Sequence, residues 1–138
     1  MLVDTIENIE RAGFRAIIKR AFRMRAMDCG LGGLCSDLND VKEDKLVEWA
    51  KRERNRAGVI RMANRWVEIG RLELRAACTR AFVARKELQS FIDATPAGDP
   101  TMGEWNQRLG KIIRELEEAQ QRVRLKTRQA ELVFDLFK

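Results

Sequence analysis

Along residues 60–91, apolar and small side chains return with a seven-residue period. One seam position reads Ile60, Val67, Leu74, Ala81 and Leu88; the other reads Ala63, Gly70, Ala77, Ala84 and Phe91. Such a heptad keeps one stripe of a helix against a neighbour, and small residues at the second position allow close approach. A matching seam runs through Met102, Leu109, Leu116, Val123, Ala130 and Phe137, alternating with Trp105, Ile112, Ala119, Lys126 and Val133. The two seams agree in length and are separated by Pro96 and Pro100. They predict a long antiparallel helical hairpin, with Phe137 near Ala57. The first of the two helices also carries Met62, Ile69 and Val83 on another side, with Trp66, Leu72 and Phe82 nearby. Apolar on two sides, it reads as a central helix of a bundle.

The remaining pattern is helical too. Ile6, Ile9, Phe14, Ile17, Ile18 and Ala21 share a face and predict a helix over about 5–27. Arg11, Arg15, Lys19 and Arg23 repeat every four residues on a largely opposite face. Leu46, Trp49 and Ala50 give a short stripe within a helix over about 40–57. That stripe loses register around Glu53 and Arg56 and then meets Gly58, so a kink or break is expected near Asn55–Gly58. Asp4 with Glu7, Asp40 with Glu43 and Thr101 with Glu104 have the spacing of capping boxes. The Gly- and Cys-bearing segment 28–36 and the Pro-Gly segment 93–100 punctuate the pattern. No stretch alternates as a strand does. The expected fold is therefore all-α, a single helical domain over 1–138. It is an elongated bundle built on the hairpin (helices about 58–92 and 102–137) behind a basic amphipathic N-terminal helix.

Charge changes the picture. The 138 residues hold 27 Lys+Arg against 21 Asp+Glu, a net +6, with 45% hydrophobic and 35% charged residues. The excess is local: residues 51–86 carry 11 basic side chains against Glu53, Glu68 and Glu73, a net of +8. Residues 11–25 add six bases and no acid, whereas residues 93–138 balance at eight of each. Arginine outnumbers lysine 19 to 8. The guanidinium fork matches phosphate oxygens and sheds water readily. Arginines four residues apart stand ~6 Å apart along a helix, a spacing suited to a charged backbone.

These features point to nucleic acid, duplex RNA or DNA, recognised by backbone and shape through Arg11, Arg15, Lys19, Arg23, Lys51, Arg52, Arg54, Arg56, Arg61 and Arg65. A regulatory or suppressor-like role fits that description. Trp66, beside Arg65, is the candidate for base stacking. The C-terminal run Leu132, Val133, Phe134, Leu136 and Phe137 is apolar on nearly all sides and is expected to form an oligomer interface, giving a homodimer. The alternative is a helical protein–protein adaptor or assembly factor, using the coiled-coil seams and that apolar end while the arginines meet an acidic surface.

Other chemistry finds little support. The chain has no His, which removes Ser-His, Cys-His and His-metal arrangements. Cys29, Cys35 and Cys78 lack C-x-x-C spacing, so zinc is not expected; Cys29 and Cys35 are close enough in sequence for a local disulfide, and Cys78 reads as a core residue. Asp37, Asp40, Asp44 and Glu48 open a helix, where carboxylates are favoured without a metal. No enzyme activity, cofactor, metal or small-molecule substrate is expected. No apolar run approaches the ~20 residues of a bilayer span, and the first residues lack a secretory pattern. The expectation is no membrane contact and an intracellular, cytoplasmic protein, with a nuclear or host-cell location left open.

Overall fold

A computed structural model describes residues Leu2–Asp28, Leu38–Thr95 and Met102–Lys138. Of these residues 94% are helical and none is in a strand. The elements are α1 (Leu2–Asp28), a 3₁₀ turn (Leu38–Asp40), α2 (Glu43–Lys51), α3 (Glu53–Ala94) and α4 (Met102–Asp135). The all-helical expectation holds. Cys29, Cys35, Asp37, Thr101 and both loop segments lie wholly or mostly outside the described residues.

The chain divides into two compact units, Met1–Glu68 with Leu125–Lys138, and Ile69–Arg124. In the first unit, helical spacing decides what is buried. Phe14, Ile17, Ile18 and Ala21 of α1 meet Leu46 and Ala50 of α2, Val59, Ala63 and Val67 of α3, and Ala130 and Val133 of α4 in one apolar cluster. Phe14, Ile17, Ile18, Val59 and Val133 are fully buried. Each such side chain contributes ~1.5–3 kcal/mol of apolar burial. Ile6 and Ile9, on the same predicted face of α1, remain exposed.

Two polar side chains among the described residues, Asn55 and Gln129, are buried in this unit. Gln129 of α4 is 5% exposed, and both ends of its carboxamide are bonded. Its Nε2 donates to the Ile9 carbonyl of α1 at 3.0 Å, and its Oε1 accepts from the Trp66 indole N–H of α3 at 2.8 Å. Gly13 makes room for it, since a Cβ at that position would collide with the Gln129 carboxamide.

The structure breaks the helical run at Arg52, earlier than the expected 55–58. Arg52 has φ −62° and ψ 133°, an extended conformation. The carbonyl of Trp49 therefore loses the amide of residue 53 and accepts instead from the Arg52 N–H at 3.3 Å and from Asn55 Nδ2 at 2.8 Å. Gly58 lies inside α3. The capping expectations are also corrected. Asp4 lies within α1, and the residue before α2 is Lys42, with no side-chain cap, because Asp40 sits in the 3₁₀ turn.

In the second unit, Gly70, Ala77, Ala84 and Ala119 are buried, with Leu74, Ala81, Leu88, Leu109, Ile112 and Leu116 half-buried. Ion pairs join Glu73 to Arg122 at 3.5 Å, Arg80 to Glu115 at 3.8 Å and Glu87 to Arg108 at 3.0 Å. Phe91 stacks on Trp105 with centroids 5.3 Å apart. The second apolar side of α3 is covered only in part: Met62 and Trp66 pack on the first unit's core, while Leu72, Phe82 and Val83 are exposed. Cys78, expected in the core, is exposed, because it lies one position past the buried Ala77.

The Gln129 bridge makes a measurable demand on Gly13. Gly13→Ala raises helix propensity, which alone would stabilise an exposed site by up to ~1 kcal/mol. Here the methyl expels Gln129 and strands buried polar groups, at ~1–3 kcal/mol for each group left unpaired. Urea denaturation should show the variant less stable than the parent, with Gln129→Ala similar and the double variant well short of additive.

Candidate functional site

The sequence nominated two basic helical faces, and the structure separates them into cations that meet acids and cations that do not. Arg11 Nε lies 3.1 Å from Glu43 Oε1, and Arg15 Nη1 lies 4.0 Å from the same oxygen. Glu43 thus sets one carboxylate against two nominated residues. Arg11 also lies over the Phe14 ring, 4.9 Å from its centroid. Farther along α1, Lys19 is half-buried and Arg20, Arg23 and Arg25 are exposed. None of these four meets a carboxylate among the described residues.

The break at Arg52 supplies the second group. It opens α3 with a new N-terminus, and the short stretch 51–65 carries Lys51, Arg52, Arg54, Arg56, Arg61 and Arg65, all exposed, against the single acid Glu53. None of the six forms an ion pair among the described residues. Arg56 lies over the Phe137 ring, 5.3 Å from its centroid. A helix N-terminus adds partial positive charge of its own.

A cavity of about 280 Å³ gathers part of both groups. Its wall takes Ala21, Met24 and Arg25 from α1, Trp49 from α2, and Arg54, Asn55, Ala57, Gly58, Arg61, Met62 and Arg65 from α3. Four arginines line it, and no acidic side chain does among the described residues. Arg25 Nη1 donates to the Arg54 carbonyl at 2.9 Å, which ties the last turn of α1 to the first turn of α3. Asn55 is 2% exposed; its Nδ2 is committed to the Trp49 carbonyl, and its Oδ1 is shut off from solvent without a hydrogen-bond partner. Arg15, Lys19 and Arg23 share with Arg20 a separate depression on α1. Lys51, Arg52 and Arg56 line neither.

The other nominated residues have intramolecular partners. Trp66 is half-buried, its indole N–H held by Gln129, with Arg20 and Lys126 over its ring at 4.7 and 4.1 Å. Of the C-terminal run, Val133 is fully buried, while Leu132, Phe134, Leu136 and Phe137 pack on the first unit's core. Among the described residues no cluster of acidic or thiol side chains could hold a metal ion. No helix among them is long and apolar enough to cross a membrane.

Sequence reasoning missed Arg20, Arg25, Asn55 and Trp49. Arg20 and Arg25 lie in the same basic run but off the four-residue repeat. The loss of register after Ala50 was the one signal of the break that brings Asn55 beside Trp49. No family model, curated protein or solved structure matches the chain.

The Glu43 pairing is open to a direct test. Glu43→Gln removes the charge facing Arg11 and Arg15 and keeps the side-chain shape. Elution from heparin should move to higher salt, and Arg11→Gln in that background should reverse much of the gain. Glu43 is half-buried and both arginines remain partly open to solvent, so the pairing contributes ~1 kcal/mol and thermal stability should change little.

Proposed function

We propose that the protein binds nucleic acid by its phosphate backbone, through the cations of the first unit. The observation that carries this reading is the set of basic side chains on α1 from Lys19 and on α3 up to Arg65, which meet no carboxylate among the described residues. A solvated charged face normally interleaves acids with its bases. The second unit has that character: residues 69–124 hold ten basic and eight acidic side chains, and Arg80, Arg108 and Arg122 each face a glutamate. Unpaired guanidinium groups keep their donors for an external anion, and phosphate oxygens accept them in a fork. We read the second unit as an antiparallel helical pair, since its ion-pair partners rise in number along α3 while they fall along α4.

Recognition of this kind follows shape and charge, because phosphates carry no base identity. Six phosphate contacts on a duplex give a log–log salt slope of about −5. In a gel-shift series, Arg54→Glu combined with Arg61→Glu should flatten that slope by about two units and weaken binding to every sequence alike. Helix content should hold, since both side chains are exposed. If the parent protein does not retard duplex or single-stranded nucleic acid at low salt, the phosphate reading fails. The adaptor reading then takes its place, with the exposed Leu72, Phe82 and Val83 of α3 as the surface for a partner helix.

A further inference from the structure

We propose that the cavity at the start of α3 receives one unpaired nucleotide, with its base against the Asn55 wall and its 5′-phosphate on the arginine rim. The proposal rests on the nucleic-acid reading and narrows it to strands that offer an end or an unstacked base.

Three independent features of the cavity converge on such a ligand. The first is Asn55. Its amide is 2% exposed, and Nδ2 already donates to the Trp49 carbonyl, which fixes the orientation of the carboxamide. Oδ1 is left as a buried acceptor without a donor. Buried acceptors are satisfied in nearly all native structures, and an N–H brought into the cavity that Asn55 lines would satisfy this one. Four of the wall residues are arginines, yet none donates to it. Nucleobases carry N–H groups on their edges, and asparagine is a common partner for them.

The second feature is the wall around that amide. The exposed Met24 and the outer parts of Trp49 and Met62, which otherwise pack on the core, give the cavity pliable apolar surface of the kind that covers a base. A volume of about 280 Å³ is at the small end of ligand pockets, large enough for one nucleotide and too small for two stacked ones.

The third is the rim. Arg25, Arg54, Arg61 and Arg65 converge there, with no carboxylate beside them among the described residues. Arg25 uses Nη1 on the Arg54 carbonyl, which steadies its guanidinium while leaving other donors free. Arg54 and Asn55 belong to the first turn of a 42-residue helix; the Asn55 and Arg56 amides donate to the Arg52 carbonyl, and the positive end of the helix still favours an anion. Apolar wall, orphan acceptor and cationic rim together match base and phosphate in one molecule. Inorganic phosphate would leave the wall and Asn55 unused, and a free nucleoside would leave the rim unused.

Gly58 allows a test that leaves the charges alone. It lines the cavity, and a Cβ built on it meets nothing within 4 Å. Gly58→Leu therefore places a side chain in that open space and raises helix propensity at a mid-helix site. Calorimetric titration of the full chain should show adenosine 5′-monophosphate binding about tenfold or more tighter than adenosine or inorganic phosphate. Gly58→Leu should abolish that preference while circular dichroism and low-salt binding to blunt duplex stay as in the parent. Ala57→Leu, at a second exposed wall position, should act in the same direction and serves if Gly58→Leu does not fold. If the nucleotide binds no tighter than phosphate, or binds both variants as it binds the parent, the cavity proposal is overturned. Duplex retardation without nucleotide binding overturns the cavity proposal alone. Nucleotide binding sensitive to Gly58→Leu without duplex retardation overturns the backbone reading and keeps the cavity.

Discussion

The carboxamide of Gln129 is the constraint around which the first unit is arranged. An uncharged polar group buried at 5% exposure is tolerable only when both its donor and its acceptor are used. Here the acceptor holds the Trp66 indole of α3 and the donor holds the Ile9 carbonyl of α1. One side chain on α4 therefore fixes the approach of two other helices. Apolar contacts among Phe14, Ile17, Val59 and Val133 supply the larger share of burial energy, but they tolerate sliding. Directed bonds do not. Gly13 belongs to the same device, because any side chain there would occupy the space of the carboxamide. The arrangement also explains Trp66, whose polar edge is tied inward while Arg20 and Lys126 lie over its ring.

A second constraint follows from the backbone at Arg52. Its extended ψ ends α2 and starts α3 within one residue. The carbonyl of Trp49, deprived of its helical donor, is recovered by Asn55. That repair buries an amide beside a cavity and leaves half of it unused. The break thus produces several features together: a helix N-terminus, a buried acceptor and a turn of arginines. None of them requires proline or glycine at the break itself.

Much of this was legible in the heptads. Val67, Gly70, Ala77, Ala84, Ala119, Ala130 and Val133 all lie on the seams and all are buried, because a seven-residue period leaves little freedom over which stripe a helix hides. Short-range features were read less well. The break moved from 55–58 to Arg52 because a single ψ and one side-chain hydrogen bond decide it, and neither has a periodic signature. Cys78 was misplaced by one position, which on a helix is a rotation of ~100°. The Gln129 bridge was out of reach altogether. It joins residues 120 positions apart, and a glutamine beside a seam looks like any solvated flank until the facing glycine is known.

Charge shows the same limit in a form that bears on function. Arg11, Arg15, Lys19 and Arg23 form one regular repeat, and nothing in their spacing distinguishes them. Glu43 does, because it comes from another helix to meet the first two. A repeat of basic residues therefore overstates a binding face by whatever acids the fold brings across from elsewhere. On α3 the correction is small, since Glu53 is the lone acid between Lys51 and Arg65 and pairs with none of them. The cations that remain are gathered by the fold where sequence separates them. Arg25 and Arg54 are 29 positions apart, and they meet because the end of α1 packs against the start of α3. The consequence is a basic surface with a focus: four arginines meet where the wall also offers Trp49, Met62 and an unpaired amide oxygen. Diffuse charge attracts a polyanion anywhere along its length, whereas charge gathered around a shaped cavity would favour one residue of it.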